Sequence, residues 1–225
     1  MTLKFQSPRT AVSEIPALKR FKLNKLGRDF VVGDMHGCYS IFMKLLDHVQ
    51  FDPTKDRVFC SGDLIDRGSE NEECLRLLKN DWFAATLGNH EFFAIATMHR
   101  HPHADYWAYN DGYWAAPYVN QLFRHVRDKE PLLSDAAEFW YELYPLIKQM
   151  PMMITVTAKK RKKFHVMHAE LDFEIFKPTD KLLLDAKFVR RAWSNEAFYG
   201  DGPDGMWRRS IFVNHVDKQV AEFST

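Results

Sequence analysis

Three short motifs, each placed at the exit of an apolar stretch, constrain most strongly what this chain can fold into. They read Gly33-Asp-Met-His-Gly37, Gly62-Asp-Leu-Ile-Asp-Arg-Gly68 and Gly88-Asn-His-Glu91. They recur at intervals of roughly thirty residues, the length of one strand–helix–strand unit. Phe30–Gly33, Arg57–Ser61 and Trp82–Leu87 read as the strands that end in them. Helices are expected between them. In Tyr39–Val49 the apolar residues Ile41, Phe42, Leu45, Leu46 and Val49 share one face. After the second motif, Ser69 is placed to cap a helix with Glu72 as its capping-box partner, burying Cys74, Leu75, Leu77 and Leu78. A third helix starts in Glu91–Met98. This alternation predicts parallel strands with helices outside, and ligands gathered where the strands end. Each motif opens with a glycine that permits a sharp exit from its strand.

The regular alternation breaks at His99. Residues 99–150 carry a crowded aromatic stretch, Tyr106–Tyr118, and a helix pair up to Tyr144, and read as a helical cap inserted before the sheet resumes. Met152–Ala158 and Lys163–His168 read as a β-hairpin whose basic tip is a solvated turn. Leu182–Phe198 is expected to be helical, residues 201–205 a loop, and Ser210–Asn214 a last short strand. Residues 1–28 are basic and broken by Pro8 and Pro16, and read as a loosely ordered extension. Residues 29–225 then form one α/β domain with its cap insertion.

Bulk properties narrow the partners. At 225 residues the chain is long enough for a substantial core, and 46% apolar with 27% charged residues is a globular composition. A net charge of +1 gives no electrostatic case for nucleic acid or a membrane surface. No apolar run reaches transmembrane length, and residues 1–28 lack the apolar core of a signal peptide. Cys38, Cys60 and Cys74 are odd in number with no paired spacing, which fits a reduced, cytoplasmic protein.

The chemistry lies in what the motifs put side by side. Asp34, His36, Asp63, Asp66, Arg67, Asn89 and His90 stand at the ends of neighbouring strands, and carboxylate, imidazole and amide oxygen in one place are the ligands of a hard or borderline divalent metal pair. An arginine and an extra histidine beside such a pair suggest phosphate ester chemistry. Any one motif alone is also explained by turn formation or helix capping. Their occurrence together, in order and after strands, is what carries the reading.

This set resembles the phosphoprotein phosphatase family of calcineurin-like metallophosphoesterases, in particular its small bacterial and bacteriophage lambda-type serine/threonine protein phosphatases. The likeness runs from about Phe30 to at least Ala169 and includes Phe51-Asp-Pro53, Glu72-Glu-Cys-Leu75, and Asn110-Asp-Gly112 with Trp114. It implies a metallophosphoesterase β-sandwich flanked by helices. It also implies two divalent ions: one on Asp34, His36 and Asp63, the second on the bridging Asp63 with Asn89, His168 and His215. Mixed oxygen and nitrogen ligands without thiolate favour Mn²⁺, with Fe or Zn as alternatives. The implied reaction is attack of a metal-activated hydroxide on a phosphoprotein or small phosphate ester. In it Arg67 binds phosphoryl oxygens, His90 is the acid for the leaving group, and Asp66 holds the His90 ring. Two alternatives stand beside this: a diadenosine tetraphosphate-type hydrolase, and a weakly active metal-binding pseudophosphatase. The last is suggested by Asn195 in Trp193-Ser-Asn195, where the family pattern has an arginine, and by the ten residues that follow His215. Arg190, Arg191, Arg208 and Arg209 are the candidate substitutes for that arginine.

Overall fold

A computed structural model describes residues 14–98 and 105–168. The expected helix at Leu182–Phe198, the loop at 201–205 and the strand at Ser210–Asn214 lie outside the described residues. So do His215 and the substitute arginines.

Among the described residues, two three-stranded sheets form the framework. In chain order the strands are β1 (Leu18–Phe21), β2 (Asp29–Val32), β3 (Arg57–Cys60), β4 (Phe83–Ala85), β5 (Met153–Thr157) and β6 (Lys163–Met167). One sheet has the order β2-β3-β4 and is wholly parallel. The other has the order β1-β5-β6, with β1 parallel to β5 and β5 antiparallel to β6. Parallel neighbours need crossover connections, and α1 (Tyr39–His48) and α2 (Asn71–Arg76, extended by a 3₁₀ turn at Leu77–Lys79) supply them.

Strand alternation explains how the layers stack. Neighbouring side chains on β3 point to opposite faces. Phe59 meets Ile154, Val156 and Val166 of the second sheet, with the Phe21 and Phe164 rings at 4.9 and 6.1 Å. Val58 and Cys60 join the other core, with Phe42, Leu46 and Leu75 of the helices. α3 (Asn89–Met98) is buried at all but one of its positions, which suits a helix enclosed on every side. The cap covers it. Its elements are α4 (Asp105–Tyr109), a 3₁₀ turn (Gly112–Ala115), α5 (Ala116–Asp128), α6 (Ser134–Glu138), a π-helical turn (Phe139–Leu143) and α7 (Tyr144–Lys148). Trp114, Tyr118, Phe139, Trp140 and Tyr144 form one continuous chain of ring contacts through it.

Within the described residues, the three strands that end in the motifs, the hairpin and the first helix are present within a residue or two. Three expectations change. First, the segment read as a loose extension supplies β1, which pairs along its full length with β5 from Leu18↔Met153 to Phe21↔Val156. Its residues, half-buried at Leu18 and Phe21 and exposed at Lys19 and Arg20, gain order from that distant strand, not from local propensity. Secondly, α1 buries only Phe42 and Leu46, while Ile41 and Leu45 are 67% and 48% exposed. The apolar stripe is wider than the surface that covers it. Thirdly, Ser69 does not cap α2. The helix starts two residues later, because Glu72 is bound by Arg76 and Tyr118 and is not free to close a capping box. Asn71 turns back instead, accepting from the Asp66 N–H at 2.6 Å and donating to the Gly68 carbonyl at 2.9 Å.

Candidate active site

All three motifs end at the carboxyl edge of the parallel sheet, and the backbone stitches them together. The N–H groups of Met35 and His36 both donate to the Asp63 carbonyl, at 2.9 and 2.8 Å, and Gly68 N–H donates to the His36 carbonyl at 3.0 Å. Leu87 N–H donates to the Pro151 carbonyl at 2.8 Å, which ties the third motif to the entrance of β5. The turns are tight. His36, Asp63, Asp66 and Arg67 all adopt positive φ, between 44° and 73°, a conformation unusual outside glycine and typical of functional sites. Of the motif-opening glycines only Gly62 has positive φ. Gly88 is needed for closeness: a Cβ there would lie 2.2 Å from Asp63 Oδ1.

Asp63 is at the centre. Among the described residues two groups of potential metal ligands share it, His36–Asp63–His90 and Asp34–Asp63–His168, with the ligand atoms of each group within 4.8 Å of one another. Asp34 and His36 both stand within ligand reach of Asp63, one in each group. Asp63 is 2% exposed, and its Oδ1 accepts the His90 backbone N–H at 3.1 Å, at the positive end of α3.

Each imidazole is held by one nitrogen so that the other faces the site. His36 Nδ1 lies 3.1 Å from the Ile65 carbonyl and donates to it, leaving Nε2 as an acceptor for the Arg67 guanidinium at 2.7 Å. Burial lowers the His36 pKa, which favours the neutral ring that ligates metals. His168 Nδ1 donates to the Ser61 carbonyl at 3.0 Å. Its Nε2 then faces Asp63 Oδ2 at 3.4 Å and Asn89 Oδ1 at 2.7 Å. Two acceptors at 2.7 Å repel each other, and the Asn89 Nδ2 beside them is buried without a partner among the described residues. A cation seated between the acceptors removes the conflict. Turning the amide over would also remove it, and metal titration distinguishes the two. The donor set fits a divalent ion on this ground as well as by its chemistry. His165, two strand positions short of Met167, bonds to Thr155 and takes no part.

His90, Asp66 and Arg67 form the second half of the site. His90 is fully buried, and its Nδ1 donates to Asp66 Oδ2 at 2.7 Å. Its Nε2 points toward Arg67 Nη2 at 3.5 Å. Asp34 accepts a hydrogen bond from Ser61 Oγ at 3.1 Å.

Two residues not singled out from sequence hold this arrangement. Glu91, the last residue of the third motif, is fully buried, and its carboxylate accepts four backbone N–H bonds. Gly88 and Asp63 donate to Oε2 at 2.9 and 3.0 Å, and Leu64 and Ile65 to Oε1 at 2.7 and 3.3 Å. It latches the second motif to the third. Burial and the charge of Asp63 push its pKa up to about 8, against the four donors that favour the ionised form. Asn71 braces the positive-φ turn of Asp66 and Arg67 as described above. The signal for Glu91 was an acid one turn into an otherwise apolar helix, where charge is costly without dedicated partners.

A serine/threonine-protein phosphatase 1 of Salmonella typhimurium is 44% identical over 198 residues, covering 82% of this chain and 82% of that protein. Serine/threonine-protein phosphatase 2 of the same organism is 33% identical over 171 residues, 76% of this chain and 69% of its own. A symmetrical bis(5'-nucleosyl)-tetraphosphatase of Actinobacillus succinogenes is 37% identical over 116 residues, 51% of this chain and 42% of that protein. With residues 30–217 matching the family model for calcineurin-like phosphoesterases, a span that contains every motif of the site, the chain belongs to that family.

Proposed function

We propose that this protein is a metal-dependent phosphomonoesterase that removes phosphate from phosphoserine or phosphothreonine. The observation that carries the reading is the gathering of Asp34, His36, His168 and Asn89 around Asp63, with Arg67 and the His90–Asp66 pair beside them. The extended similarity to bacterial serine/threonine-protein phosphatases supports the substrate class.

Asp34, His36, Asp63, Asn89 and His168 would hold the metal, with His215 as a further proposed ligand. When bound, a divalent pair acidifies water to give a nucleophile near neutral pH and offsets charge on the phosphoryl oxygens. We favour Mn²⁺ on the mixed oxygen and nitrogen donor set. Arg67 presents a planar fork for two phosphoryl oxygens. His90, with its Nδ1–H committed to Asp66, directs Nε2 into the site, and as the imidazolium it gives its Nε2 proton to the leaving alkoxide, returning to the neutral Nδ1–H ring. Glu91 keeps the Asp63 and Gly88 backbones fixed while this happens.

Purified protein with Mn²⁺ should be assayed side by side on p-nitrophenyl phosphate, a phosphoserine peptide and diadenosine tetraphosphate. Hydrolysis of the two monoesters supports the reading. Turnover confined to the dinucleotide would replace it with the tetraphosphatase reading, for which the exposed Tyr109 and Tyr113 rings of the cap offer surfaces for base stacking. Binding of metal without hydrolysis of any ester would favour a pseudophosphatase.

A further inference from the structure

The Asp66 carboxylate does more than meet His90. Among the described residues three ring N–H groups converge on it. His90 Nδ1 donates to Oδ2 at 2.7 Å, Trp114 Nε1 to Oδ1 at 2.6 Å, and Trp107 Nε1 lies 3.0 and 3.1 Å from Oδ2 and Oδ1. Asp66 is fully buried and Trp107 is 3% exposed. The two indoles come from the cap, one from α4 and the other from the 3₁₀ turn after it, and sit edge to face at 6.3 Å. Trp114 continues into the ring contacts with Tyr118 and Phe139.

Resting on the phosphatase reading, we propose that Trp107 and Trp114 are positioning residues of the active site: their N–H groups fix the plane of the Asp66 carboxylate that orients His90. A carboxylate bonded to an imidazole alone is free to turn about its terminal torsion, which is broad. Donors on both oxygens remove that freedom. The constraint matters here because Asp66 sits at φ 73°, in a turn whose backbone favours other conformations. A buried indole needs some partner for its N–H. Packing alone does not require two indoles to choose the same carboxylate.

The Asn110-Asp-Gly112 segment gains a purpose from this. Asp111 at φ 67° turns the chain, and Gly112 leaves room for the Trp107 ring: a Cβ there would lie 2.3 Å from Trp107 Cδ1. The proton donor of the reaction is thereby tied to the seating of the cap, through residues 41 and 48 positions away in sequence.

Leaving-group dependence tests this, because an alkoxide needs a proton and p-nitrophenolate needs little. Trp107→Phe and Trp114→Phe should each lower kcat on a phosphoserine peptide about tenfold, a fraction of what general acid catalysis supplies, with KM unchanged and a much smaller loss on p-nitrophenyl phosphate. In an Asp66→Asn background the same changes should no longer discriminate between the substrates. Gly112→Ala, which displaces Trp107, should resemble Trp107→Phe and serves if the Phe variant fails to fold. Equal losses on both esters, or discrimination that persists without Asp66, would overturn the proposal. Imidazole ¹⁵N spectra give a readout independent of turnover. The unmutated protein should show His90 with its proton fixed on Nδ1, and the variants should lose that fixed state; an unchanged spectrum overturns the proposal. Should the unmutated protein hydrolyse neither ester, the phosphatase reading falls, and these spectra still decide whether the indoles position the pair.

Discussion

Replacing Asp66 by asparagine keeps the size of the side chain and alters only what it offers to its donors. Its two oxygens accept from His90, Trp107 and Trp114 at 2.6–3.1 Å. An amide supplies one acceptor and one NH₂. If the NH₂ faces Trp114, one indole N–H is buried without an acceptor. If it faces His90, the imidazole must shift its proton to Nε2 and accept at Nδ1, and a doubly protonated ring would then put N–H against N–H. Loss of one hydrogen bond to a charged group costs about 1.5–3 kcal/mol. At about 2–4 °C per kcal/mol for a chain of this size, Tm should fall by roughly 3–12 °C. The kinetic effect should be larger, because in the second arrangement the ring cannot take up the second proton that makes its Nε2–H acidic enough to protonate an alkoxide. We expect kcat on alkyl phosphates to fall by ~10²–10⁴, the range of general acid catalysis, with a much smaller loss on p-nitrophenyl phosphate. Scanning calorimetry and parallel assays on the two esters measure both quantities. Full activity on the alkyl ester, in a folded variant whose ¹⁵N spectrum keeps the proton on Nδ1, would refute the argument that Asp66 sets the state of His90.

Three further outcomes follow from the geometry. Glu91→Ala leaves four buried N–H groups without an acceptor and should cost about 4 kcal/mol or more in urea unfolding, at about 1–3 kcal/mol for each unsatisfied donor; a loss under about 1 kcal/mol would mean that the latch is unimportant. Asp63→Asn removes charge from both ligand groups at once, so metal content after Mn²⁺ loading should drop for both ions together, by elemental analysis of a protein with unchanged circular dichroism. Asp56 accepts the Arg28 guanidinium at 2.6 Å and is held at about 2, below the ~3.9 of an unfolded aspartate. Its contribution is therefore complete above about pH 4 and is lost as pH falls through about 2, and Asp56→Asn should flatten the stability profile in that window.

The sequence by itself determined the parallel sheet and the contents of the site. Apolar runs that end in Gly33, Gly62 and Gly88, with helical periodicity between them, allow little but consecutive βαβ units, and the strand ends bring Asp34, His36, Asp63, Asp66, Arg67, Asn89 and His90 together by topology alone. Spacing and residue type are local properties of the chain, so they are legible. The tertiary structure decided what depends on distant partners. β1 exists because β5 pairs with it from more than a hundred residues away, and nothing within Leu18–Phe21 announces that. Ser69 satisfies the local rule for a cap, yet Glu70 stands at the cap position with its carboxylate turned to Ser40, and Glu72 is drawn off by Arg76 and Tyr118. The aromatic stretch of the cap is legible in the sequence only as a crowded aromatic segment. Only the fold shows two of its indoles aimed at Asp66, since a tryptophan's ring serves a core equally well wherever its N–H points. Glu91 likewise has its meaning in four N–H groups gathered from two turns. Periodicity records which face of an element is buried; which polar atom meets which is fixed only when the elements close on one another.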